Sequence, residues 1–253
     1  MDRPQYIASC SFGKDSLAMV LKLIENDAPL DQVIFYDTGM EFQAIYNLRD
    51  RILPILERNG IDYKELKPKE PFLYTMLNRP CESKQKGKHC GYGWCGGMCR
   101  WGTTAKLKAL DEYAERLGAV VYVGIAADET SRLKKEIKPY KVHPLALWGM
   151  TEATCLTYCR EQGFGWPEPL QGGGAIDLYT ILDRVSCWCC CNKNKKELRN
   201  IWKYLPQYWE RLKDLQRQIS RPMKKFSNKK YGEYGNLFDL EKVFEAEERL
   251  NTT

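Results

Sequence analysis

Apolar and polar positions alternate along this chain in blocks of two different spacings. Residues 6–10 ("YIASC") and 32–37 ("QVIFYD") are short apolar runs bounded by turn residues, the pattern of buried strands, and residues 62–66 ("DYKEL") form a weaker one. Residues 119–126 ("AVVYVGIA") are almost wholly apolar, which predicts a central strand of a parallel sheet covered on both faces. Between these runs the apolar residues recur at helical spacing. Leu17, Val20, Leu21 and Ile24 share one face of a predicted helix over 15–26. A second helix is predicted over 41–59, with Pro54 as a kink point. Leu107, Leu110, Tyr113, Ala114 and Leu117 mark a third over 103–117, and Thr151 caps a fourth over 151–163. Residues 195–205 and 208–219 read as two short helices separated by Pro206, and a last helix lies around 240–249.

Strands alternating with helices predict an α/β fold: a doubly wound, mainly parallel five-stranded sheet, followed by a helical C-terminal region. A polar, Gly- and Lys-rich insertion over 67–102 holds four cysteines.

The chain has 253 residues and is 43% hydrophobic, enough for a real core. No apolar stretch approaches the roughly 20 residues of a membrane span. The opening "MDRPQY" lacks the apolar centre of a signal peptide. These features predict a soluble, cytoplasmic protein without membrane association. Net charge is +6, with basic residues clustered at 64–69, 84–88, 134–141, 193–196 and 224–230. Such clusters serve either as solvated surface or as attraction for the phosphates of a nucleotide or a nucleic acid. Eleven cysteines are many for a chain read as cytoplasmic. In a reducing compartment they point to metal or redox chemistry rather than disulfides.

The densest chemistry lies at residues 11–16, "SFGKDS", between the first strand and the first helix. Ligands of open α/β sheets sit at the carboxyl ends of the strands, and a helix start presents backbone N–H groups to an anion. Gly13 permits a tight turn and close approach. Ser11 and Ser16 supply hydroxyls, Lys14 a mobile positive charge, and Asp15 a helix cap or a ligand for a divalent cation such as Mg²⁺. The arrangement suits a pyrophosphate cradle. It is not the Walker loop, which needs four residues between its first glycine and its Gly-Lys. An ordinary strand–turn–helix connection uses the same residue types.

"SFGKDS" resembles the PP-loop of the N-type ATP pyrophosphatases, with Phe12 where the general form has glycine. A bulky residue there is similar to the sulfonucleotide-reductase branch. "FYDTGMEF" at 35–42, "GIAADETSR" at 124–132, "HPLALWGMTEATCLTYCREQG" at 143–163 and "CWCCCNK" at 187–193 resemble, in order, further motifs of the phosphoadenylyl-sulfate (PAPS) reductase-like family. Ala126 stands where an arginine is usual, and Cys191 where a proline is. The resemblance runs over about 6–208. It implies an adenine nucleotide alpha-hydrolase-like sheet binding ATP or an adenylyl sulfate nucleotide. Phosphate contacts then fall on Ser11, Gly13, Lys14, Asp15 and Ser16, with Lys14 and Asp15 the catalytic candidates. Asp37 and Thr38 fall beside the nucleoside, and Glu129 and Arg132 face the ligand. The lost arginine at Ala126 weakens the case for a sulfate or 3′-phosphate group on that ligand. Two domains are expected: 1–185, the PP-loop nucleotide-binding domain with its cysteine-rich insertion, and 186–253, the cysteine cluster and helical region.

Cys95 and Cys99 lie among glycines that can wrap tightly, and Cys187 and Cys190 have the spacing that lets two thiolates grip one metal. Four thiolates in two pairs suit Zn²⁺ or an iron–sulfur cluster. The resemblance favours [4Fe–4S], because paired cysteines hold that cluster in sulfonucleotide reductases. Cys90 and Cys191 are reserve ligands. Cys10, Cys155 and Cys159 sit in apolar or helical settings and read as core, Cys81 stands alone, and Cys189 points away from its neighbours if the segment is extended. His89 and His143, the only histidines, read as bland. Arg100 and Arg184 adjoin the cysteine segments and could balance a thiolate cluster's charge.

No cysteine follows Cys191, so the C-terminal nucleophilic thiol of the PAPS reductases has no counterpart here. The reading that fits better is adenylylation of an acceptor by ATP, followed by sulfur transfer from a donor. Basic loops and Tyr92, Trp94, Trp101 and Trp188 suit a nucleic-acid acceptor, and they suit plain packing equally. A sulfonucleotide reductase and a non-catalytic nucleotide binder are the alternatives. Oligomeric state is left open, a homodimer included.

Overall fold

A computed structural model describes residues 3–84, 87–135, 138–223, 226–228, 232–234 and 236–251. The chain divides into two compact units, Met1–Pro68 with Ala105–Pro167, and Lys69–Thr104 with Glu168–Thr253. This differs from the expected division at 185. The insertion belongs with the C-terminal chain because it bonds there: Gly97 and Asn192 exchange two hydrogen bonds, Gly97 N–H to Asn192 Oδ1 at 3.1 Å and Asn192 Nδ2 to the Gly97 carbonyl at 2.7 Å.

In the first unit, strands β1 (Tyr6–Ser9), β2 (Gln32–Tyr36), β3 (Asp62–Leu66), β4 (Val120–Val123) and β5 (Lys141–Val142) form one sheet in the order β3–β2–β1–β4–β5. All four pairings are parallel, with Ile7 opposite Gln32 on one side and Val121 on the other. Helices α1 (Lys14–Glu25), α2 (Gln43–Arg58), α3 (Ala105–Leu117) and α4 (Glu152–Glu161) surround it. This is the doubly wound α/β fold that the alternation of strands and helices predicts. Ile7, Ile34 and Val121 pack against Leu110 and Ala114 of α3, so the apolar stripe on that helix meets the sheet. α2 continues through Pro54. β5 has two residues, too short to leave a periodic signal.

In the second unit, strands Pro80–Ser83 and Gly87–Cys90 pair as an antiparallel hairpin. Helices α5 (Lys195–Tyr204), α6 (Pro206–Gln218) and α7 (Leu237–Asn251) follow. Asn194 and Glu197 form a reciprocal capping box that starts α5. Phe244 packs between Trp202 and Trp209, and Glu241 accepts from Trp209 Nε1 at 2.8 Å and from Lys213 at 2.9 Å. The basic stretch at 224–230 lies partly outside the described residues. Among the described residues no helix is long and apolar enough to cross a membrane.

Candidate functional site

β1 is the middle strand, and the crevice at its carboxyl end lies where the strand order reverses between β2 and β4. There the chain turns from Cys10 into α1. Gly13 begins the helix with extended backbone (φ −75°, ψ 164°) and no side-chain cap, so an anion can take the capping role. Ser11 and Ser16, expected as ligand donors, also brace the loop itself. Ser16 Oγ accepts from the Ser11 N–H at 3.1 Å, lies 3.1 Å from Ser11 Oγ, and donates to the Gly13 carbonyl at 3.2 Å.

Phe12 shows why this loop tolerates a bulky residue in the glycine position. Its φ of +56° lies in the left-handed region, which costs a side chain energy. Burial offsets that cost: Phe12 has no exposed surface, and its ring meets Phe35 edge-on at 5.2 Å. The buried Trp166 donates its indole N–H to the Phe12 carbonyl at 2.7 Å. Gly124, just past β4, has a second steric role. A Cβ there would stand 2.9 Å from Ser16 Cα and 3.1 Å from Ser16 N, so only glycine lets this segment reach the first turn of α1. Trp166 carried no sequence signal, and Gly124 lies inside a quoted motif without a role assigned to it.

Lys14 is buried, and its ammonium bonds both Asp15 oxygens at 2.9 Å and Glu152 Oε2 at 2.6 Å. Glu152, absent from the sequence-based set, is thus a member of the site. Burial lowers the Lys14 pKa, but hydrogen bonds and charges from Glu152 and Asp15 outweigh it and hold the ammonium above its ordinary value. The Asp15 carboxyl is pushed up, first by burial and then by the charges of Glu152 and Glu129, against the pull of Lys14. Two carboxylates, Asp15 and Glu152, therefore share the Lys14 ammonium, an excess of negative charge that fits a divalent cation arriving with a nucleotide. Glu129 and Arg132 are expected to face a ligand. Here they pair with each other at 2.7 and 2.9 Å, and Glu129 also accepts from the Ala126 N–H at 3.2 Å. Past β2, Asp37 Oδ1 accepts from the Gly39 N–H and from Tyr46 Oη, each at 2.8 Å, and the buried Thr38 donates to Glu41 at 3.1 Å. These bonds fix the Asp-Thr-Gly turn at the same sheet edge as the loop.

Cys10, Cys155 and Cys159 are fully buried, as their settings predict. Burial pushes Cys10 up to about 11 and Cys155 to about 12, so both stay protonated and inert at neutral pH.

The second unit collects the other cysteines. Burial raises the Cys99 thiol, the backbone amides of Gly102 and Trp101 oppose this, and the charges of Cys95 and Cys190 add to it. Cys191 is raised to about 11 by burial, then by Cys190, Cys95 and Cys99. Cys95, Cys99, Cys190 and Cys191 thus lie within electrostatic reach of one another, and Cys191 donates to the Cys95 carbonyl. Cys187 joins them through a turn, its carbonyl accepting from the Cys190 N–H at 3.0 Å. Among the described residues no three Cys, His, Asp or Glu side chains yet stand in metal-binding geometry. The surroundings nonetheless fit a thiolate-held group. The buried indole N–H groups of Trp94, Trp101 and Trp188 have no hydrogen-bond partner, and all three flank the cysteine segments. A Cβ on Gly102 would lie 3.1 Å from Cys99 Sγ, so glycine keeps that sulfur's seat open. The buried cation beside the cysteines is Lys193, whereas Arg100 and Arg184 are exposed. Burial lowers the Lys193 pKa against the opposing charges of Cys190, Glu197, Cys187 and Cys189.

The parallel sheet, the uncapped helix start at its switch point and the Lys14–carboxylate cluster define an open, doubly wound α/β domain. A model of the phosphoadenosine phosphosulfate reductase domain matches residues 5–165, more than half of the chain, and the chain belongs to that family. It is 27% identical over 173 residues to the adenosine 5′-phosphosulfate reductase of Staphylococcus epidermidis, covering 64% of this chain and 63% of that protein. To the same enzyme of Staphylococcus haemolyticus it is 29% identical over 153 residues, 56% of each. The chain therefore spans less than two thirds of the length of these relatives. The solved structure of the U34-tRNA thiolase NcsA from Methanococcus maripaludis with its [4Fe-4S] cluster superposes with a TM-score of 0.47 at 14% identity, covering 87% of this chain and 72% of that one.

Proposed function

We propose that this protein binds ATP, or an adenylylated nucleotide, in the loop at 11–16 and adenylylates an acceptor that then receives sulfur. The observation that carries this reading is the loop itself, an uncapped helix start with Lys14 held ready between Asp15 and Glu152. The backbone at Gly13 seats the phosphates. Lys14, protonated throughout, exchanges Glu152 for phosphate oxygens and offsets the charge of the departing pyrophosphate. The acceptor oxygen attacks the α-phosphorus as the bond to pyrophosphate breaks. A sulfur donor then displaces AMP from the adenylylated acceptor, and a nucleic acid is the acceptor class that the basic segments favour. Asp15 and Glu152 would hold Mg²⁺, which when bound offsets phosphate charge. Cys95, Cys99 and Cys190, with Cys187 or Cys191, would hold a [4Fe–4S] cluster, Zn²⁺ being the alternative, and such a cluster presents or activates sulfur.

The names of the staphylococcal relatives favour a second reading, reduction of an adenylyl sulfate nucleotide. Exchange of labelled pyrophosphate into ATP, measured with candidate acceptors, tests the first. Thiol-dependent release of sulfite from adenylyl sulfate without exchange would replace it by the second, and nucleotide binding with neither activity would leave a regulatory binder.

A further inference from the structure

A cavity of about 730 Å³ lies wholly within the second unit, between the end of the hairpin and the chain that follows α6. Its size falls in the range of small-ligand sites, about 300–1,000 Å³. Both walls are stapled. On one, the N–H groups of Gly91, Tyr92 and Gly93 donate to the carbonyls of Arg79, Thr75 and Met76 at 2.8, 3.2 and 2.9 Å. Gly91 has φ +69°, and a Cβ there would stand 2.4 Å from the Met76 carbonyl oxygen, so this wall requires glycine. On the other, the buried Gln216 donates to the carbonyls of Ile219 and Arg221 at 2.8 and 3.1 Å and accepts from the Met223 N–H at 3.0 Å. The cavity is therefore preformed, and ordering it on binding costs little.

Its lining is chemically one-sided. Ser83, His89, Gln218, Ser220 and Arg221 supply hydroxyl, imidazole, amide and guanidinium groups, and among the described residues no aspartate or glutamate lines it. His89 Nδ1 lies 2.9 Å from the Gly87 carbonyl, which fixes the ring. Tyr92 is 43% exposed, and its ring stacks on Trp101 at 5.5 Å and 21° with the Arg79 guanidinium 5.9 Å from its centroid, so a rigid aromatic edge borders the cavity. A planar heterocycle with hydrogen-bonding edges and an attached anion matches this set: the ring packs at Tyr92, amide and hydroxyl groups meet its edges, and Arg221 takes the phosphate.

We propose that this cavity binds one nucleotide unit, base and phosphate together, supplied either by a single-stranded nucleic acid or by a free mononucleotide. The first source deepens the sulfur-transfer reading and rests on it for the acceptor's identity. The cavity itself uses no residue of the first unit.

Cys90 also lines the cavity and is exposed, which makes its alkylation a reporter of occupancy. The test is anisotropy of a labelled single-stranded RNA hexamer, with peptide-level alkylation of Cys90 followed in its presence and, separately, with UMP or AMP. Binding is expected to weaken at least tenfold in Tyr92→Ala and in the exposed Arg221→Gln, and ligand is expected to slow Cys90 alkylation several-fold. Protection by the hexamer alone assigns the cavity to a nucleic-acid chain, and equal protection by the mononucleotide assigns it to free nucleotide. Lys14→Ala should lose pyrophosphate exchange and keep hexamer binding, so failure at the loop is distinguishable from failure here. Unchanged binding in both cavity variants, or Cys90 alkylated at the same rate with and without either ligand, overturns the proposal.

Discussion

The indole of Trp166 holds the carbonyl of Phe12, a residue in the left-handed region, at 2.7 Å in a fully buried setting. That bond fixes the peptide plane leading into Gly13, the residue that opens α1 to a ligand. Trp166→Phe keeps much of the ring and leaves a buried carbonyl without its donor, a loss of about 1–3 kcal/mol. Thermal melting should show this cost, and titration with ATP should show weaker binding than the fall in stability alone accounts for. An unchanged ATP affinity would mean that the loop does not depend on this anchor. Phe12→Gly restores the general form of the motif and relieves the backbone, yet removes a buried ring worth about 3–5 kcal/mol, so it should destabilise.

Gly124→Ala tests the close approach between the chain after β4 and the helix start. The added methyl would meet Ser16 Cα at 2.9 Å, a backbone atom that cannot swing aside. The expected result is destabilisation of about 1–3 kcal/mol, seen in a denaturant titration, together with reduced nucleotide binding. A variant that matches the wild type in both would show that this segment shifts freely.

Much of this arrangement is legible along the chain because it is local. Alternating runs announce the strands and helices of the first unit, and "SFGKDS" falls, as its composition suggests, in the strand-to-helix turn at the carboxyl end of the middle strand. What escapes is long-range. Glu152 reaches Lys14 across 138 positions, and Trp166 reaches Phe12 across 154. No spacing rule registers such pairs. The two-residue β5 is too short for periodicity, and the affiliation of 69–104 with the C-terminal chain depends on bonds such as Gly97 to Asn192. Arg132 shows a local pairing that its motif does not announce. Its position in a motif suggests a ligand contact, and the fold pairs it with Glu129 three residues away.

Electrostatics at the loop predict a conflict between stability and function. Asp15 has a folded pKa above its unfolded value of 3.8. Its contribution to stability is therefore present below that pH and lost as pH rises through the raised value, so the ionised carboxylate costs stability at neutral pH. Asp15→Asn should melt higher than wild type at pH 7, with the gain vanishing below about pH 4, while nucleotide turnover is abolished. Lys14 has the opposite balance. Its raised pKa means a contribution present below 10.5 and lost above it, so Lys14→Ala should melt lower at pH 7 and also lose turnover. Retained turnover in both variants would remove the loop from the mechanism.

Metal content discriminates among the cysteines. Protein prepared without oxygen should be brown and carry about four irons per chain if the thiolates hold a cubane cluster; a colourless protein with stoichiometric zinc would select the alternative ion. Cys99→Ser and Cys190→Ser should each lose the metal. Comparing Cys187→Ser with Cys191→Ser identifies the fourth ligand, since only one of them should lose it. Cys155→Ser should retain it, because that thiol is buried in the first unit. Gly102→Ala keeps every cysteine and tests the seat itself. Its Cβ would press on Cys99 Sγ at 3.1 Å while the amides of Gly102 and Trp101 hold that sulfur in place. Metal bound by this variant should fall well below stoichiometry, whereas full loading would show that Cys99 lies outside the ligand set.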